Sequence, residues 1–187
     1  MIGGISSAFD SPNGAYIYEL CSLLGIYHPD DDTHEKIVDQ IEEIYGPIVD
    51  KTIVEVACGA FAPISAKIAE RTKGKVKVYA IDPKLIIGQE FGIIPIKEEL
   101  QNQNQIPDDA IVVSKDPCTA TFNLGRFVTI KNVQLYIMLC HCNDRMMNDS
   151  IFRIYLEDRL SEQEVHQTAL HDSLYGVDKP VVYTIKK

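Results

Sequence analysis

The stretch Thr52-Ile53-Val54-Glu55-Val56-Ala57-Cys58-Gly59-Ala60-Phe61-Ala62-Pro63, answered by Val76-Lys77-Val78-Tyr79-Ala80-Ile81-Asp82, decides the fold. β-Branched residues over 52–56 predict a short strand, and the small residues that follow predict a tight turn. Pro63 sits where a first-turn proline is tolerated, and the helix it opens ends at Gly74. A second apolar strand over 76–81 then ends on an acid. Strand, turn, helix and strand make a βαβ unit of the nucleotide-binding kind. Its turn lets a ligand approach the backbone, and the helix N-terminus offers unpaired N–H groups. Asp82 can accept hydrogen bonds from a ribose diol, and its distance from Gly59 (82 − 59 = 23) is close to the roughly 20 residues such an acid requires.

The rest of the chain extends this unit. Residues 92–96 predict a third strand, with Pro95 marking an edge. Residues 110–114 and 133–140 predict a fourth and a fifth. Residues 151–174 read as one long amphipathic helix, with Phe152, Leu156 and Leu160 on one face. Residues 181–185 close the chain as a last strand. The alternation implies an α/β, Rossmann-like three-layer sandwich with a mostly parallel sheet of about six strands. Ahead of it, 14–26 predicts an apolar helix. His28-Pro29-Asp30-Asp31-Asp32 is a turn, Thr33 an N-cap, and Ile37, Val38, Ile41, Ile44 and Tyr45 recur at helical spacing. We therefore expect an N-terminal helical cap over 1–50 and a nucleotide-binding body over 51–187, forming one structural domain.

The glycine pattern is not a dinucleotide fingerprint, which leaves a dinucleotide dehydrogenase as a minor alternative. Read from Glu55, the turn resembles the first motif of class I S-adenosylmethionine-dependent methyltransferases, an acid followed by Gly-x-Gly-x-Gly. The resemblance covers residues 50–143. It implies Glu55 as the motif acid, Ala57 and Gly59 at the first two glycine positions with Cys58 between them, and Phe61 at the third. It also implies Asp82 as the acid that holds the ribose hydroxyls. One central glycine suffices for a cofactor without a pyrophosphate. The body is a trimmed version of the family, since one strand follows the fifth where the family has a hairpin of two. After the third strand, Glu98 or Glu99 could reach an adenine amino group.

Open α/β sheets bind ligands beyond the carboxyl ends of their strands, at the switch point between strands one and four. The loop after strand four, Ser114-Lys115-Asp116-Pro117-Cys118-Thr119, would then face the methyl group. Asp116-Pro117-Cys118 resembles the Asp/Asn-Pro-Pro-aromatic motif of amino-methylating enzymes, and this makes Asp116 the candidate catalytic residue, aligning an acceptor N–H. The other reading of Asp116 is a helix N-cap for 117–124. Pro117-Cys118 also resembles the nucleophile of cytosine-C5 methyltransferases, with Cys140 at the second cysteine; an ordinary loop cysteine is the competing reading. Cys140-His141-Cys142 alternates faces in a strand, and His166 and His171 are five apart on the expected helix. No metal site is expected. Tyr16, Tyr18 and Phe61 would either shape an apolar pocket or belong to the core.

With 45% hydrophobic residues in 187, one core can be buried, and no stretch approaches the roughly 20 apolar residues of a membrane span. No signal peptide is evident, and five cysteines scattered through expected elements suggest reduced thiols in a cytoplasm. The net charge of −9 is concentrated early: residues 1–52 hold ten acids against Lys36 and Lys51, whereas 53–143 hold nine acids and ten bases. That argues against a nucleic-acid clamp, whose affinity rests on phosphate contacts. The expected activity is S-adenosylmethionine-dependent methyl transfer to a small molecule or a protein side chain, with a homodimer one option for assembly. The alternative is a non-catalytic Rossmann-like module that binds a protein partner through its acidic N-terminal segment.

Overall fold

The computed structural model describes residues 32–87, 92–101, 103–140, 149–173 and 175–187. The expected helix over 14–26, most of the turn after it, and Tyr16, Tyr18, His141 and Cys142 lie outside the described residues. In chain order the elements are α1 (Thr33–Tyr45), β1 (Thr52–Val56), α2 (Pro63–Thr72), β2 (Lys77–Ile81), β3 (Ile93–Ile96), β4 (Ala110–Lys115), α3 (Thr121–Lys131), β5 (Gln134–Met138), α4 (Asp149–Arg159), β6 (Gln163–Asp172) and β7 (Val177–Lys186).

The strands form one seven-stranded sheet in the order β3-β2-β1-β4-β5-β7-β6. The first five are parallel, and β7 runs antiparallel to both β5 and β6. Alternate residues of each strand feed two cores. Val54, Val112, Leu135 and Ile137 pack with Leu124 and Val128 of α3 and with Phe152 and Leu156 of α4. Ile53, Ile111, Val113 and Tyr136 pack on the other face with Ile37 and Ile41 of α1 and Ile64 and Ile68 of α2. The period of two along a strand places helices on both faces, giving the three layers. Two phenols tie α1 to the sheet: Tyr45 donates to the Leu135 carbonyl and Tyr136 to Gln40, each at 2.6 Å.

The third strand does lie at an edge, as Pro95 indicates. The C-terminal third departs from the expectation. Residues 151–174 are not one helix: α4 ends at Arg159, and the chain returns as β6, paired along ten residues with β7. Two strands therefore follow the fifth, the sheet has seven strands rather than about six, and the body is not trimmed. The helical spacing of Phe152, Leu156 and Leu160 is real but stops there. β6 is an edge strand with one neighbour, and its residues between Gln163 and Asp172 are half-buried or exposed. It therefore lacks the alternation that would announce a strand.

Candidate active site

Strand order reverses between β1 and β4, and a cleft of about 410 Å³ opens beyond the carboxyl ends of the strands at that point. Val56, Ala57, Gly59, Ile81 and Asp82 form its β1–β2 side, Glu98, Glu99 and Leu100 its far wall, and Asp116, Pro117, Ala120 and Asn123 the side beneath β4 and α3. Its volume falls in the usual range for small-molecule sites, roughly 300 to 1,000 Å³.

The β1 turn is made by left-handed backbone at Ala57 (φ 54°), Gly59 (φ 66°) and Ala62 (φ 42°). Such conformations are rare for residues with a Cβ and recur at sites that position ligands. The Ala57 N–H donates to the Ile81 carbonyl at 3.0 Å, and the Gly59 N–H to Asp82 Oδ2 at 2.9 Å. Asp82 Oδ1 accepts the Lys84 N–H at 2.8 Å. Asp82 is thus held by two backbone donors, with lone pairs remaining for a ligand.

Glu55 points away from the cleft. It is 2% exposed on the α2 side of β1, and its carboxylate accepts the N–H groups of Ser65 (2.7 Å) and Ile64 (3.3 Å). The α2 N-terminus is therefore capped from a neighbouring strand, since Ala62 at its N-cap has no side-chain oxygen. Burial raises the Glu55 carboxyl to about 7 against the pull of these donors. Cys58 also turns inward, packing against the small cluster of Ala62, Ala69, Ala80, Leu85, Ile87 and Ile93; burial, with Glu55 and Asp82 nearby, pushes its thiol up. Phe61 is outside the lining as well. Of the sequence-predicted residues, Ala57, Gly59, Asp82, Glu98 and Asp116 meet in the cleft, whereas Glu55 and Cys58 pack behind it and Phe61 is outside its lining.

Asp116, with left-handed backbone (φ 52°), is not a helix cap. A short 3-10 turn, Cys118–Ala120, intervenes before α3, and neither element has a side-chain cap. The carboxylate is instead gripped by Lys179 from β7, at 2.8 Å to Oδ1 and 2.7 Å to Oδ2, and by Lys115 at 2.9 Å. Both lysines also reach Asp172 Oδ2, at 2.7 and 3.3 Å. The Tyr175 ring lies over the two ammonium groups, with centroid distances of 4.4 and 5.9 Å. The sequence gives no local signal for this cluster: Asp172 falls inside the stretch that reads as helix, and Lys179 lies 63 residues from its partner.

Cys118 is exposed and stands outside the cleft lining; its sulfur approaches Cys140 Sγ to 3.6 Å. Cys140 is disulfide-bonded, a departure from the expectation of reduced thiols. Among the described residues no group of three or more His, Cys, Asp or Glu could hold a metal ion. His166 and His171 lie on β6, not on a helix.

No protein-family model matches the chain, and no curated protein sequence matches it. Solved structures do. A Listeria monocytogenes protein described as a class I S-adenosylmethionine-dependent methyltransferase matches with a TM-score of 0.56 at 14% identity, over 82% of this chain and 58% of the other. A Clostridium thermocellum protein described as an rRNA methylase matches with a TM-score of 0.55 at 15% identity, over 83% and 95%. The fold is that of the class I methyltransferases. The plantazolicin methyltransferase, solved with S-adenosylhomocysteine bound, shares it over 100% of this chain and 95% of its own, with a TM-score of 0.52 at 8% identity. No described helix is long and apolar enough to cross a membrane.

Proposed function

We propose that the chain binds S-adenosylmethionine in the cleft at the β1–β4 switch point and transfers its methyl group to a small molecule or a protein side chain. The observation that carries this reading is Asp82. Its carboxylate lines the cleft at the tip of β2, fixed by the Gly59 and Lys84 N–H groups, with capacity left for a ribose diol. The donor set fits the cofactor. Left-handed backbone at Ala57 and Gly59 brings the main chain to the cleft, and Glu98 or Glu99 can accept from an adenine amino group. Asp82, Glu98 and Glu99 against Lys84 give a lining that favours a cation such as a sulfonium. Bound S-adenosylmethionine would supply an electrophilic methyl carbon. The protein's part is then to align an acceptor from the Asp116-Pro117 side, which needs position more than acid–base groups.

The alternative, a non-catalytic module using its acidic segment, is less favoured by the pairing on α1. Arg71 meets Glu35, Asp39 (2.7 Å) and Glu42 (2.9 Å), and Lys67 meets Glu35 at 3.1 Å, so these acids already have partners within the chain. The test is calorimetric titration with S-adenosylmethionine and S-adenosylhomocysteine, with NAD as control. Binding by the wild type that Asp82→Ala reduces at least about tenfold, with the fold intact, is the expected outcome. Absence of binding to either compound would leave the partner-binding module as the better reading.

A further inference from the structure

Just past the ends of β4 and β5 the fold sets a thiol against a disulfide. Cys118 carries a thiol and is exposed, and its Sγ lies 3.6 Å from Sγ of Cys140, a sulfur already part of a disulfide. The backbone holds the two together. The Asp116 N–H donates to the Met138 carbonyl at 2.9 Å, which fastens the loop after β4 to the end of β5. The Thr121 hydroxyl donates to the Cys118 carbonyl at 2.8 Å, so Cys118 is anchored to the start of α3. Asp116 and Cys118 both adopt left-handed backbone, with φ of 52° and 47° on either side of Pro117. In residues with a Cβ such conformations persist only where the surroundings over-determine them. Lining the cleft does not account for the placing of Cys118, because its neighbours Asp116 and Pro117 line it and Cys118 does not.

We propose that Cys118 is a thiol–disulfide exchange partner of Cys140, so that one bridge alternates between two positions in the folded chain. The Cys118 thiol gives up its proton, and the thiolate attacks Cys140 Sγ. The Cys118–Cys140 bond forms as the existing S–S bond breaks, and the expelled sulfur leaves as a thiolate that takes up a proton. One disulfide and one thiol are present before and after, so no oxidant or reductant is consumed. Holding the two sulfurs in contact replaces the chance encounter that exchange between separate molecules requires. The competing reading, a thiol that only donates a weak hydrogen bond to sulfur, leaves the bridge where it is. With the bridge on Cys118, the loop bearing Asp116 and Pro117 is tied covalently to the chain just past β5, and one wall of the cleft is stapled. This holds whatever ligand the cleft takes.

Disulfide mapping of the full chain tests this. Protein held without added thiol at about pH 6 and at about pH 8.5 is quenched and digested in acid, and its linked peptides are identified by mass spectrometry. At the higher pH, where the attacking thiolate forms, a Cys118–Cys140 peptide should account for at least about a tenth of the molecules beside the other Cys140 link. Cys118→Ser, a change at an exposed position, should remove that peptide and leave the other link intact. The wild-type map stands by itself should the variant fail to fold. A single link at both pH values, whichever it is, or a second link in fewer than about a tenth of the molecules, would overturn the proposal. So would links to Cys58, which packs inside the cluster of Ala62, Ala69 and Ala80, because they would mean exchange through unfolded chains.

Discussion

At the residue scale, Glu55 serves a structural end beside the turn that lines the cleft. Its carboxylate caps α2 from β1, yet burial raises it to about 7, so the folded protein holds this proton more tightly than the unfolded chain, whose ordinary value is 4.5. The resulting stability is complete below the unfolded value and is lost as pH rises through about 7. Glu55→Gln cannot titrate. The stability of wild type relative to this variant should therefore fall by about 3 kcal/mol between about pH 4 and about pH 8, as measured by urea unfolding. A flat difference across that range would mean that the two N–H donors stabilise the carboxylate enough to cancel its burial.

At the element scale, the contact between α3 and α4 depends on an absent side chain. A Cβ on Gly125 would stand 2.7 Å from Phe152 Cε2, and Phe152 is fully buried and has no room to yield. Elsewhere in a helix, glycine to alanine stabilises by up to about 1 kcal/mol. Here Gly125→Ala should destabilise by about 1 to 3 kcal/mol through overpacking, read as a lower urea midpoint at unchanged slope. The β6–β7 hairpin is the contrary case, an element fixed almost wholly by pairing. Its ten-residue register with β7 keeps a polar edge strand in place where side-chain burial is slight.

At the scale of the whole molecule, Asp172 joins parts that lie far apart in the chain. It accepts from Thr33 at the start of α1 and pairs with Lys115 at the end of β4 and Lys179 in β7. Although burial opposes ionisation, the two lysines hold its carboxyl below the usual aspartate range. Its contribution is therefore present above the ordinary aspartate value and lost as pH falls through the lower folded value. Asp172→Leu leaves the buried Lys179 and the partly buried Lys115 short of countercharge and should cost about 3 to 5 kcal/mol at neutral pH. The double variant Asp172→Leu/Lys179→Met should lose less than the sum of the single losses in the same unfolding assay.

The βαβ unit over 52–82, the edge position of the third strand and the acid at its neighbour's tip were legible in sequence because they rest on local patterns: β-branched runs, small turn residues and a fixed spacing. Ala57, Gly59, Asp82, Glu98 and Asp116 were legible as neighbours in one cleft for the same reason, since strand ends in a parallel sheet open on one edge. What each motif residue faces was not. Glu55 and Cys58 turn to the α2 side because side chains alternate along β1 and into its turn, and only the packed layers say which side is the cleft. The partners of Asp116 come from β7, joined to it by a sheet order that no local pattern encodes. Short-range chemistry set the elements and the cleft edge formed by β1 and β2, whereas long-range pairing alone decided the hairpin and the ion pairs around Asp116.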